Sequence, residues 1–128
     1  MRRFIVWGSL LAFLGVALGA FGAHGLRDQI SEDSLAVYNT GVHYHLVHAL
    51  GLVLLGLAAD RLADRKKVNA AGWCLLIGVV LFSGSLYLLA VTGIKWLGAI
   101  TPLGGVAFLA GWAMLGLAAW KEPRPQRK

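Results

Sequence analysis

Residues 34–59 read SLAVYNTGVHYHLVHALGLVLLGLAA, and residues 60–67 read DRLADRKK. The first segment has no Asp, Glu, Lys or Arg, whereas the second has six charged residues in eight. A surface helix of a soluble protein shows water one face and carries charge along it. An uncharged run closed by a charged cluster fits a helix that crosses hydrocarbon and stops at its edge. About 20 apolar residues, rising 1.5 Å each, suffice for a 30 Å core. Three further stretches, Phe4–Leu26, Val68–Ile94 and Trp96–Trp120, are equally free of charge. The 12 basic and 6 acidic residues therefore crowd into the short segments between them, and 58% of the chain is hydrophobic. Charged residues make up 14%, against the roughly 25% usual in soluble domains. Disorder, a disulfide scaffold and a soluble enzyme domain are excluded on these grounds.

The sequence thus predicts an all-α integral membrane protein, a four-transmembrane-helix bundle in one domain over residues 1–120. The expected spans are 4–23, 42–59, 70–91 and 97–120, followed by a disordered basic cytoplasmic tail over 121–128. Met1-Arg2-Arg3 and the apolar run after it resemble a signal peptide, with Ala17-Leu18-Gly19 as a small-residue cleavage site. The run is of spanning length, longer than a signal h-region, so a retained first helix is expected.

Lys and Arg set the expected orientation. Arg2 and Arg3, then Arg61, Arg65, Lys66 and Lys67, then Lys121, Arg124, Arg127 and Lys128 fall on one side. Arg27 and Lys95 fall on the other, which predicts both termini in the cytoplasm. The net charge of +6 is then the positive-inside bias rather than a nucleic-acid surface, and the expected partners are membrane lipids and a second copy of the chain. Cys74 is the sole cysteine, so an intrachain disulfide is impossible and a small core residue is expected.

Membrane helices associate by close backbone approach at small residues. In the first span Gly8, Ala12, Gly15, Gly19 and Gly22 recur at heptad spacing and share one face. Gly104, Ala107, Gly111 and Ala118 repeat the device in the fourth. Cys74, Gly78, Leu81, Ser85, Leu88 and Thr92 form a comparable stripe in the third. These faces read first as packing surfaces. Thr40-Gly41-Val42 and Thr92-Gly93-Ile94 are the one hint of tandem hairpins.

Polar residues are predicted to collect on the outer side. His24 ends the first span, and His43, His45 and His48 open the second. Tyr38, Asn39 and Thr40 precede them, Ser83, Ser85 and Tyr87 come from the third span, and Thr101 starts the fourth. Intramembrane polar groups are costly without partners, so the cluster is a candidate site, with satisfied interhelical bonding as the alternative. His45 and His48 share a face with Tyr38 and Gly41, while His43 points about 160° away, toward lipid. His45, His48 and His24 are the metal candidates, since imidazole binds Zn, Cu, Ni or haem iron. The residues assign no cofactor. No acidic residue lies in a span, and HExxH, CxxC and G-x-S-x-G are absent, so no catalytic residue is named. Ser31 is expected to cap the second helix, Pro102 to sit in the first turn of the fourth, and Trp7, Tyr44 and Trp96 to join interfacial belts.

Four blocks carry a family resemblance: Gly19-Ala20-Phe21-Gly22-Ala23-His24-Gly25-Leu26; Tyr38-x-Thr40-Gly41-Val42-x-Tyr44-His45-x-x-His48-Ala49-Leu50; Phe82-Ser83-Gly84-Ser85-Leu86-Tyr87; and Ile100-Thr101-Pro102-Leu103-Gly104-Gly105. In order and register, from about Leu10 to Trp112, they resemble the small membrane proteins of the domain of unknown function 423 family. That family includes bacterial inner-membrane proteins and the eukaryotic transmembrane protein 256 type. The resemblance implies a four-helix membrane fold and supplies no activity or catalytic residues. The expected function is a binding or accessory protein of the bacterial inner membrane, holding a small ligand, lipid headgroup or metal in the outer His/Tyr/Ser/Thr pocket. The alternative is a small oligomeric transporter, and an enzyme or haem protein lacks any supporting motif.

Overall fold

A computed structural model describes residues 1–120, and the expected basic tail lies outside the described residues. Among the described residues, four helices are long and apolar enough to cross a membrane: α1 (Arg2–Leu26), α2 (Glu32–Arg61), α3 (Arg65–Thr92) and α4 (Lys95–Trp120). Local chemistry sets their ends. The Ser31 hydroxyl accepts the Ser34 amide, and Glu32 and Asp33 occupy the first turn of α2, where negative charge favours the exposed amides. Asp64 caps α3 by accepting the Lys67 amide. Gly93, at φ 73°, ends α3 in the left-handed conformation that only glycine adopts cheaply, with its N–H on the Leu89 carbonyl. Gly41, by contrast, lies inside α2. The two Thr-Gly tripeptides are therefore not equivalent, and the hint of a repeat lapses. A 3₁₀ turn over Lys95–Ala99 leads into the α-helix Thr101–Trp120, whose first turn holds Pro102.

α2 extends beyond its expected span. Its opening turns, before Val42, pack on the last turn of α1 through buried Tyr38 rather than standing free of the bundle. Two π-turns also escape a simple hydrophobic pattern, Gly22–Leu26 closing α1 and Val79–Ser83 inside α3. The second changes the face of α3. Ser83, Leu86 and Ala90 turn inward, whereas Leu88 and Thr92 of the expected stripe are exposed. One wide turn shifts the register of every side chain after it.

α1 packs on α2, α4 packs on α3, and α2 and α3 pack on each other. Half of the spanning segment of α2 is buried, against less than a quarter of α1 or α4. α2 and α3 are thus the centre and α1 and α4 the flanks. Phe4, Leu52, Leu55, Val68 and Leu75 are fully buried toward the end that carries Met1 and Trp120, called here the terminal end. A smaller cluster of Leu26, Tyr38, Val42 and Ala90 fills the opposite end.

Candidate functional site

Most of the polar bonds that join the helices meet at the inward face of α2. His45 and His48 are one turn apart there and both buried. They lie near the middle of α2, not at its outer end as the apolar pattern suggested, because the extra turns before Val42 displace them inward.

His45 Nε2 lies 2.7 Å from the Leu11 carbonyl of α1, and Nδ1 lies 2.8 Å from the Tyr87 hydroxyl of α3. A carbonyl only accepts, so Nε2 carries a proton, and in the neutral ring Nδ1 then accepts from Tyr87. His48 has the reverse arrangement. The Trp112 indole N–H of α4 donates to Nε2 at 2.9 Å. Nδ1 therefore holds the proton and donates to the Tyr44 carbonyl at 2.8 Å. Two neutral imidazoles in opposite tautomers thus link α2 to all three other helices.

Glycine makes the first of these bonds possible. A helical side chain covers the turn preceding its own Cα, so a missing side chain at i+4 uncovers the carbonyl of residue i. Gly15 bares the Leu11 carbonyl to His45, and Gly22 bares the Leu18 carbonyl to the Tyr38 hydroxyl. A Cβ at Gly15 would stand 3.2 Å from His45 Cδ2, and one at Gly22 would stand 2.5 Å from Tyr38 Cε1. Gly8 and Gly19 face Ala49, Val53 and Val42 of α2 in the same way, and a Cβ at Gly104 would strike the Phe82 backbone of α3.

The remaining polar groups form separate bonds. Ser83 donates to the Gly41 carbonyl at 2.7 Å and joins α3 to α2. Ser85 donates to the carbonyl of Phe82, within the π-turn, and receives the Thr101 hydroxyl at 2.6 Å, joining α3 to α4. Among the described residues, no buried side-chain nitrogen or oxygen lacks a hydrogen-bond partner.

The structure thus distributes the expected cluster over four junctions. Tyr38, His45, Tyr87 and Ser83 lie at the contacts of α2, and Ser85 and Thr101 lie between α3 and α4. His24, Asn39 and Thr40 are exposed, with Thr40 bonded to the Ala36 carbonyl of its own helix. His43 is exposed, as its angular position indicated. The three metal candidates do not converge. Among the described residues no three His, Cys, Asp or Glu side chains form a ligand group. Both nitrogens of His45 and of His48 are already engaged, which leaves no lone pair for a metal.

Four aromatic residues complete a site that the polar pattern did not reveal. Tyr44, expected at an interface, has its ring 4.6 Å from that of Phe82, and His48 stacks on Phe108 at 3.7 Å between centroids. With Trp112 and Leu109 they line a laterally open groove of about 500 Å³ between α2 and α4. The available signal was Trp112 itself. A tryptophan near the middle of a span needs a partner for its N–H, and histidine was the residue able to supply one.

The family model described as "Protein of unknown function (DUF423)" matches residues 18–105. The chain belongs to this family. The matched segment includes all four sequence blocks and both bridging histidines, while Trp112 falls just beyond it. The chain is 54% identical over 121 residues to the UPF0382 membrane protein YwdK of Bacillus subtilis, covering 94% of this chain and 98% of that protein. It is 47% identical to the UPF0382 membrane protein SH2409 of Staphylococcus haemolyticus, with the same coverage. No solved structure matches. The DUF423 chain is accordingly similar over most of its length to proteins named as membrane proteins, and its described residues form four helices of spanning length.

Proposed function

We propose that this protein is a non-catalytic binding or accessory protein of the bacterial inner membrane, with both termini cytoplasmic, that holds a lipid hydrocarbon chain in the α2–α4 groove. One observation carries the reading. The groove is walled by Tyr44, Phe82, Phe108, Leu109 and Trp112, while the polar groups nearby are already bonded to one another. Such a site offers mostly apolar contact area, with the Tyr44 hydroxyl as its one uncommitted side-chain polar group, which suits an apolar chain better than an ion. The His, Tyr, Ser and Thr set then serves as interhelical bonding that shapes the groove. Self-association belongs to the same proposal, since α4 leaves small residues such as Ala113 and Gly116 exposed, where a second helix can approach closely. The transporter alternative would require these bonds to exchange partners during a transport cycle.

Native mass spectrometry of gently extracted protein tests the reading. Wild type is expected to retain lipid. Gly105→Leu should reduce retention to background, because Gly105 lines the groove and a Cβ there meets only the Phe82 ring at 4.0 Å. Equal retention by a folded Gly105→Leu variant would sink the assignment.

A further inference from the structure

The α2–α4 seam carries a second hollow nearer the terminal end. It measures about 300 Å³ and is lined by Gly51, Leu54, Leu55, Leu62 and Leu115. Trp112 lines both hollows. α2 and α4 hardly approach each other by backbone, so side chains cross the seam: Phe108 stacks on His48, and between the two hollows stands the Trp112 indole. Its N–H is held by His48, and its ring edge rests against α2 at Gly51, where a Cβ would stand 3.0 Å from Cη2. Trp112 is 42% exposed, so its ring has open space on the side away from the bundle.

We propose that Trp112 is a latch that divides one lengthwise groove into two and thereby limits the length of the lipid acyl chain held there. The proposal rests on the reading of the groove as a lipid-chain site. The occupant follows from place and direction. The seam runs along helices of spanning length, within the hydrocarbon layer, and acyl chains lie in that same direction. With the indole on His48, a chain entering beside Tyr44 and Phe82 stops at the ring. With the indole swung outward, it continues past Gly51 toward Leu62. Moving the ring costs one neutral hydrogen bond and its contact with Gly51, so the latch should change chain-length preference by about two- to tenfold.

The test uses the full-length protein in mild detergent, equilibrated with an equimolar series of phosphatidylglycerols of increasing acyl length and analysed by native mass spectrometry. Wild type should favour the shorter homologues. Trp112→Ala should raise the ratio of long- to short-chain adducts about tenfold. Trp112→Phe, which keeps a ring and loses the N–H, should raise it by less, and it carries the test if the alanine variant does not fold. An unchanged length preference in folded variants that still bind lipid overturns the latch and leaves the groove assignment intact. Absence of adducts on wild type overturns the groove assignment, and the latch with it.

Discussion

The α1–α2 and α2–α4 contacts each depend on a histidine of α2, yet they are built in opposite ways. At α1–α2 the backbones approach closely along Gly8, Gly15, Gly19 and Gly22, and His45 bonds directly to a main-chain carbonyl. At α2–α4 the backbones stand apart, and His48 reaches the other helix through side chains alone, bonded to Trp112 and stacked on Phe108. A carbonyl fixed in a helix cannot move without the helix, whereas an indole can change rotamer. The same residue type therefore serves a rigid joint on one side of α2 and an adjustable one on the other.

The largest expected effect breaks the rigid joint. Gly8→Val would place side-chain atoms against the Ala49 carbonyl and the Val53 amide, backbone atoms that cannot give way. A loss of about 3 kcal/mol is expected in detergent unfolding assays. Gly51→Ala, whose Cβ meets only the Trp112 ring, should cost under about 1 kcal/mol. Equal costs at the two sites would erase the contrast.

Next in size is His45→Ala, which removes partners from both Leu11 and Tyr87. It should destabilise by about 1–2 kcal/mol. Trp112→Phe should cost about 0.6 kcal/mol, because a single side-chain pair is lost and the ring remains. A cost for Trp112→Phe that matched or exceeded that of His45→Ala would contradict the adjustable character of the α2–α4 joint.

The third measurement perturbs nothing. Nitrogen-15 spectra of labelled protein in micelles should show His45 protonated at Nε2 and His48 at Nδ1. Identical tautomers would mean that at least one of the two bonding patterns is wrong. The smallest effect belongs to the residues outside both joints. His24→Ala and Thr40→Ala should each change stability by less than about 0.5 kcal/mol.

The helices and the bonds between them were not equally legible in the sequence. Charge-free runs mark four helices because hydrocarbon tolerates no free charge, and Ser31 and Pro102 mark helix starts by local chemistry. The angular argument separating His43 from His45 held because α2 is regular between them. It could not give depth, since the polar residues Tyr38, Asn39 and Thr40 suggested a span beginning after them. Tyr38 is in fact buried, its hydroxyl accommodated by a carbonyl that Gly22 leaves open. The face of α3 was misread beyond Ser85, at Leu88 and Thr92, because a π-turn leaves no trace in hydropathy. His24 drew attention by its residue type, but α1 turns it outward. Trp112 was overlooked because tryptophan in a membrane protein suggests an interface, whereas here it lies near the middle of a span, half-exposed and bonded to His48.

The carbonyls bared on α1 have a consequence for the order of assembly. α1 has a mean hydropathy of 2.2 in its most apolar window and α2 only 1.6, and the same step recurs from α3, at 2.4, to α4, at 1.6. In each hairpin the helix that enters lipid easily precedes the one that enters it reluctantly. When α2 leaves the insertion machinery, Leu11 and Leu18 already present acceptors for His45 and Tyr38. The chain thus provides the docking surface before Tyr38 and His45 need it, whereas His45 Nδ1 and His48 Nε2 gain their partners, Tyr87 and Trp112, only when the second hairpin arrives.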